Sequence, residues 1–166
     1  MANGLTPPAV DQSGNLLVLW VPALTAPEAG VKLTELTGAE VKDLTYSFTP
    51  SGYNPTGDQT IDKDPRLTLK TPLESLGTIA RSLALQYVSN GPNDVAANVL
   101  IEGTSGYIVE RRGVPIEEPL AIDDDVTYYP VSLGAQVEDP PTGTGKFTTS
   151  QKTALNGVPQ KVKVVA

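Results

Sequence analysis

The alternation of apolar and polar side chains is clearest over residues 78–88. One face of this segment carries Ile79, Arg81, Leu83, Leu85 and Tyr87, and small or polar residues occupy the other face. A period of two predicts a β-strand with one buried face. Residues 15–24 are mostly apolar and β-branched, with Pro22 and Pro27 ending the run, which predicts a second strand in a central position.

A single helix is predicted over residues 94–101. Asn93 is a suitable N-cap, apolar residues recur at helical spacing, and Gly103 follows as a stop signal. Further strands are predicted at residues 106–113, 126–138, 145–151 and 160–166. Turn-bounded strands with one short flanking α-helix predict a mainly β fold, a sandwich or a barrel.

Residues 46–77 interrupt this pattern with a stretch rich in proline, glycine, aspartate and threonine. One plausible strand lies within it at residues 66–71, and the rest is predicted to be a long extended loop. Loops of this length in a compact domain are usually functional or become ordered against a partner. We therefore expect residues 46–77 to become ordered against a partner, as an inter-subunit or inter-ring element.

Composition favours one globular domain over residues 1–166, since 39% of the residues are hydrophobic and 19% are charged. The chain has no cysteine and no histidine, which removes thiolate chemistry, the usual transition-metal ligands and the commonest general base. We expect no cofactor and no enzymatic activity. No apolar run approaches the roughly 20 residues of a membrane span, and the start of the sequence lacks the features of a signal peptide. Synthesis in the cytosol is expected.

The net charge of −7 is concentrated in one region. Twelve of the 19 acidic residues balance the 12 basic ones, and the other seven lie in a span without lysine or arginine. They are Glu117, Glu118, Asp123, Asp124, Asp125, Glu138 and Asp139. An acidic balance argues against a protein that holds nucleic acid by its phosphates.

No catalytic motif is complete. The segment TGTGKF at residues 142–147 lacks the first glycine and the final hydroxyl residue of a phosphate loop. The aspartates at residues 58–64 and 123–125 lack calcium-loop spacing and leave only an adventitious calcium contact open. Glu117 and Glu118 are adjacent, so in a strand they point to opposite faces and do not form a glycosidase pair. Ser105 has no histidine to activate it.

The basic residues discussed next are interpreted as surface groups. If residues 106–113 form a strand, Arg111 and Arg112 point to opposite sides, and we interpret them as a surface pair beside a hairpin. The four lysines after Pro141 are interpreted as a solvated strand face. They are Lys146, Lys152, Lys161 and Lys163.

The order of several motifs resembles the major tail protein, or tail tube subunit, of long-tailed siphovirus-type phages that infect actinobacteria. The matching text is AANVL, GYIVERRG, AIDDD and YYPVSLG, in that order, preceded by LTELTGAEVKDLTYSF and its continuation to DKDPRL. The final 20 residues fit loosely. The resemblance covers about two-thirds of the chain.

This resemblance implies a tail-tube fold of two sheets with a flanking helix, assembled into hexameric rings that stack into a hollow tube. Double-stranded DNA passes through such a tube without specific binding. Tape measure and tail terminator proteins are implied partners, and the virion tail is the implied location. An alternative is a phage head-decoration or receptor-contacting β-domain.

The resemblance also suggests a role for the acidic run. A negatively charged channel wall repels DNA phosphates and keeps the duplex mobile, within a screening length of about 10 Å at 0.1 M salt. We hypothesise that residues among Glu117, Glu118, Asp123, Asp124 and Asp125 face the lumen. An outer, solvated position for the same residues is the alternative.

Overall fold

The computed structural model describes residues 8–166. The first seven residues, which carry part of the signal-peptide expectation, lie outside the described residues. The β-strands are β1 (Leu16–Val21), β2 (Val31–Lys32), β3 (Lys42–Asp43), β4 (Phe48–Asp64), β5 (Leu73–Val88), β6 (Ser105–Arg112), β7 (Asp125–Glu138), β8 (Thr148–Leu155) and β9 (Gln160–Val165). The α-helices are α1 (Leu33–Leu36) and α2 (Val95–Val99), and 3-10 turns span Pro27–Ala29 and Thr45–Ser47.

The strands form one curled sheet in the order β3-β1-β6-β7-β8-β5-β4. The first half of β7 pairs with β9 and its second half pairs with β8, so the sheet divides along this strand. β9 also pairs in parallel with the short β2. The result is a mainly β half-barrel, which confirms the predicted fold class.

β1 is buried on both of its faces, as expected for a central strand. Val18 and Trp20 belong to a first core together with residues of β5, β6, β7 and α2. Leu17 and Leu19 belong to a second core on the opposite side, with residues of β6, β7, β9 and α1. Continuous apolar sequence in β1 is explained by this two-sided burial.

The predicted helix is present but shorter than expected, at Val95–Val99. Two glutamines tie its C-terminal end to the sheet: Gln136 donates to the carbonyls of Ala97 and Leu100, and Gln151 also donates to Leu100. α1 is a further single turn that the sequence did not predict as a helix.

Residues 46–77 are not a loop, and this prediction was wrong. Most of the segment is the 17-residue strand β4, paired along its length with β5. The strand predicted at residues 66–71 is instead the turn between them. Proline and glycine are tolerated in β4 because it is an edge strand, whose outward N–H groups need no ladder partner.

Candidate assembly surface

A long β-hairpin projects beyond the rest of the sheet. β8 pairs with β5 only over residues 84–88, so residues 56–82 pair only with each other across the hairpin. We call these residues the arm. The eight steps from Thr56 to Asp64 correspond to a projection of roughly 27 Å at ~3.4 Å per residue. The turn at residues 65–72 lies beyond this length.

One face of the arm carries a cluster of apolar side chains, with Gln59, Arg81 and the Lys63–Glu74 pair beside them, and lacks a covering layer among the described residues. Ile61, Leu76 and Ile79 remain 55%, 74% and 50% exposed. A register irregularity brings them together: β4 advances from Gln59 to Ile61 while β5 advances from Ile79 to Leu76. The extra residue in β5 puts Leu76 on the same face as Ile79. This face continues the one that carries the buried Leu83 and Leu85.

The opposite face of the arm is mostly polar, with Leu73 as an exposed apolar residue near its end. Thr56 and Ser82 lie opposite each other with their hydroxyl oxygens 2.6 Å apart, and Asp58 and Asp62 follow on the same side. An edge strand with a polar face and an apolar face is amphipathic in the same way as a strand that covers a core. In this arm, however, the apolar face has no core of its own chain beneath it.

The predicted acidic run is organised by a buried arginine. Arg111 is 1% exposed, and its guanidinium donates to the backbone carbonyls of Pro115, Glu118 and Pro119 at 3.1, 2.7 and 3.2 Å. It also donates to the Asp124 carboxylate at 3.1 Å. The segment from residue 113 to 124, which we call the acidic loop, therefore wraps around this one side chain.

The interpretation of Arg111 and Arg112 as a surface pair was wrong for Arg111. Arg111 shares its strand face with the buried Val109, so the alternation of β6 directs it inward. Only Arg112 is largely exposed, with 62% of its side chain accessible, and it forms a two-point salt bridge with Glu110. The hydrogen bonds that Arg112 donates to Glu110 raise the pKa of the Arg112 guanidinium.

Several acids of the run are compensated by groups distant in sequence. Asp125 forms salt bridges with Lys163 at 2.9 Å and Lys161 at 3.7 Å, and hydrogen bonding by Lys163 lowers the pKa of the Asp125 carboxyl. Asp139 accepts hydrogen bonds from three side chains, those of Gln86, Thr148 and Ser150. Lys161 and Lys163, two of the four lysines after Pro141, thus have an acidic partner in Asp125.

The remaining acids are exposed. Glu117, Glu118, Asp123 and Glu138 form no salt bridge within residues 8–166 and face solvent. Asp123 adopts a left-handed backbone conformation with φ of 73° at the end of the acidic loop. Of the five acids proposed to line a channel, three therefore carry charge with no ion-pair partner, and Asp124 and Asp125 are paired.

A cleft of about 850 Å³ lies at the base of the arm. Apolar groups from Val10, Leu16, Phe48 and Tyr53 line it, with polar groups at Asp11 and Arg112. The Phe48 and Tyr53 rings lie 5.6 Å apart, and Tyr53 meets Tyr129 edge-on at 6.5 Å. Burial, reinforced by the nearby Glu110 carboxylate, raises the pKa of Tyr53, so its hydroxyl is neutral.

Metal-binding clusters and helices able to span a membrane are both absent from the described residues. No group of three or more acidic side chains there is arranged to hold a metal ion. None of the helices found over residues 8–166 has the length and apolar character needed to cross a membrane. The features that remain prominent are surfaces: the arm, the cleft and the acidic loop.

Comparison with known families agrees with a surface-based role. The sequence matches the family described as phage tail tube protein over residues 5–166. The chain belongs to the phage tail tube protein family. A search of curated proteins finds no match to it. The resemblance to tail tube subunits is thus confirmed at the level of the family, which supports a structural component of the virion tail.

Membership of this tail tube family favours a structural role over the head-decoration or receptor-contacting alternative. It also suggests a non-enzymatic protein. Sequence reasoning correctly selected residues 46–77 as unusual but missed that they form half of a paired arm. The signal that could have revealed it was the period-two strand at residues 78–88, which needs a neighbour on its outer side.

Proposed function

We propose that this chain is the tail tube subunit of a long-tailed phage of actinobacteria, made in the host cytoplasm. In this proposal its copies form hexameric rings that stack into a hollow tube, and double-stranded DNA passes through the tube into the host. The tape measure protein and the tail terminator are its other partners. The subunit acts by shape and charge, with no catalytic step.

The observation that carries the proposal is the uncovered apolar face of the arm. Solvent-exposed apolar side chains on a long edge strand promote association, and a monomeric protein normally protects or shortens such an edge. Each of the residues Ile61, Leu76 and Ile79 is at least half exposed. Packing against another subunit would remove their side chains from water. The arm is then an inter-subunit or inter-ring element of a single-domain subunit.

The acidic loop supports the DNA-conducting part of the proposal. Glu117, Glu118 and Asp123 face solvent without ion-pair partners within the described chain. Facing a lumen, they would repel DNA phosphates and prevent the duplex from adhering. Asp124 and Asp125 belong to the same wall in this proposal, but Arg111 and the lysines of β9 offset their charge.

Electron microscopy of the purified protein tests the assembly. We expect tubes of uniform bore from the wild-type chain and their loss in the variant Ile61→Ser/Leu76→Ser/Ile79→Ser. The matched control is Asp58→Asn/Asp62→Asn, which alters the polar face of the same arm and should leave tubes intact. A wild-type chain that stays monomeric at high concentration would contradict the proposal.

Thiol labelling of assembled tubes tests the lumen position, because the natural sequence has no cysteine. A Glu117→Cys variant in tubes should react with a small maleimide but not with a maleimide attached to a large protein. The dissociated subunit should react with both reagents. Equal reaction of assembled tubes with the large reagent would place the acidic loop on the outer surface.

A further inference from the structure

The turn at the end of the arm is unusual in both its apolar exposure and its charge. Leu67 is 94% exposed and Leu69 is 48% exposed, with no covering side chain among the described residues. Residues 65–72, which we call the tip, contain Arg66 and Lys70 and no acidic residue. Arg66 is paired with Asp64 at the end of the arm, so Lys70 is the cation of the tip that has no salt bridge among the described residues, on a chain whose net charge is −7.

The cleft at the base of the arm has complementary properties. Leu16, Phe48 and Tyr53 line it with apolar and aromatic groups. Of its charged residues, Arg112 is paired with Glu110, and Asp11 has no salt bridge among the described residues. Its volume of about 850 Å³ exceeds the side chains of two leucines, which leaves room for the backbone of a turn. Because the cleft opens to solvent, a segment of another molecule can enter it without unfolding the subunit.

We propose that the tip of one copy of this chain docks in the cleft of a second copy. The proposal rests on the proposed function, since it names the contact through which the arm joins subunits. Leu67 and Leu69 pack against the aromatic floor, and the positive charge of the tip favours association with the acidic body of the second copy. The occupant is a second copy because the chain belongs to a tail tube family, whose members assemble into a tail, and because Lys70 of the tip is opposite in charge to Asp11 of the cleft.

The contact has a directional geometry. It joins two different surfaces, and in the proposed tube it is head-to-tail and propagates from copy to copy, whereas a reciprocal exchange of two tips would close as a two-fold pair. From Tyr53 in the cleft to the tip the hairpin spans roughly 40 Å at ~3.4 Å per residue. The clefts of two successively docked copies are therefore offset by at most about that distance.

Cysteine cross-linking tests the contact directly. Leu67→Cys is made in one preparation and Ser13→Cys, at the cleft, in another, so that each chain carries a single thiol. After mixing, assembly and treatment with a short bis-maleimide, we expect covalent heterodimers. The control is Glu102→Cys. Glu102 is exposed and lies just before Ser105, where β6 starts, whereas Arg112 of the cleft is at the other end of that strand. It should not cross-link to Leu67→Cys.

The outcomes separate this inference from the proposed function. Tubes in electron micrographs without Leu67-to-Ser13 cross-links, or with equal cross-linking to Glu102→Cys, would overturn the docking contact and leave the tail tube role intact. Absence of both tubes and cross-links would overturn the two proposals together.

A second variant measures the energetic contribution. Leu67→Asp should raise the concentration needed for assembly at least about tenfold, because burial of a leucine is replaced by a buried charge. The melting temperature of the isolated subunit should not change, since Leu67 is almost fully exposed there. An unchanged assembly concentration would contradict the docking contact.

Discussion

Arg111 and Asp124 form a salt bridge of 3.1 Å in which the arginine is 1% and the aspartate 20% exposed. Asp124 also accepts a hydrogen bond from the backbone N–H of Ala121 at 3.0 Å. With its three carbonyl acceptors, the arginine connects a β-strand to the loop that carries most of the excess acid. The position of the exposed acids therefore depends on one buried cation.

Replacement of Arg111 by alanine should destabilise the subunit strongly. Three loop carbonyls and a partly buried carboxylate lose their donor, and breaking such a buried pair typically costs about 3–5 kcal/mol. Arg111→Lys should restore only part of this, because an ammonium group cannot donate from a planar fork to several acceptors. Urea unfolding followed by circular dichroism measures both free energies.

The pair Arg66 and Asp64 is the matched control, with the same chemistry at 2.7 Å and side chains that are 65% and 54% exposed. Arg66→Ala should change the free energy of unfolding by less than about 1 kcal/mol, as is usual for exposed pairs. Similar losses for the Arg111 and Arg66 variants would contradict the role assigned to burial.

Gln151 should be equally sensitive to an apolar replacement. It is buried, donates to the carbonyls of Leu100 and Gly134, and accepts from the Tyr87 hydroxyl at 3.2 Å. Burial raises the pKa of Tyr87 to about 12, so this hydroxyl stays protonated and needs an acceptor. Gln151→Leu should cost at least about 2 kcal/mol in thermal or urea unfolding, because several polar groups lose partners.

The control for Gln151 is Gln136, which also donates to the end of α2 but is exposed. Water can replace its hydrogen bonds, so Gln136→Leu should cost less than about 1 kcal/mol. A larger loss in the free energy of unfolding for Gln136→Leu than for Gln151→Leu would contradict the greater contribution assigned to the buried Gln151.

Local sequence pattern predicted the parts of the fold that alternate or are continuously apolar. β1, β5 and β6 were located because burial on one or two faces leaves a period in the sequence. β4 could not be located in this way, since most of the strand is exposed and carries proline and glycine at an edge. Its strand character comes from pairing with β5, which is a non-local property.

The acidic loop illustrates the same limit for charge. The acidic run that contains this loop and Asp125 has no lysine or arginine within it, yet Lys161 and Lys163 reach Asp125 because β9 returns beside β7. Sequence therefore overestimated the uncompensated charge at Asp124 and Asp125. The acids that remain exposed and without a salt bridge among the described residues are Glu117, Glu118 and Asp123 of the loop and Glu138 at the end of β7.

Stability at acid pH should depend on Asp139. Hydrogen bonds from Ser150, Thr148 and Gln86 lower the pKa of this carboxyl below its ordinary value of 3.8. A carboxyl with a depressed folded-state pKa stabilises the fold above its unfolded value, and that contribution is lost as pH falls through the folded pKa. The Asp139→Asn variant should therefore melt below wild type at pH 7.

The difference in melting temperature between wild type and Asp139→Asn should shrink as pH falls below about 3.8. The neighbouring Glu138 is exposed and accepts no hydrogen bond from the described side chains, so Glu138→Gln serves as the control. Its melting temperature should stay close to wild type at neutral pH. A pH-independent gap for Asp139→Asn would rule out this assignment.

Gly106 should be intolerant of even a methyl group. A Cβ at this position would lie 2.6 Å from the Trp20 ring and 3.1 Å from the Val21 carbonyl oxygen, and Trp20 is 4% exposed. Gly106→Ala therefore forces the indole or the β1 to β6 pairing to move, at a cost of about 1–3 kcal/mol. Trp20 is the sole tryptophan, so its fluorescence reports both the unfolding midpoint and any displacement of the ring.

Gly38→Ala is the matched control, because a Cβ there lies 3.6 Å from its nearest neighbour. We expect the emission maximum and midpoint to change for Gly106→Ala and to stay near wild type for Gly38→Ala, and equal midpoints would refute the close packing of Trp20 on Gly106.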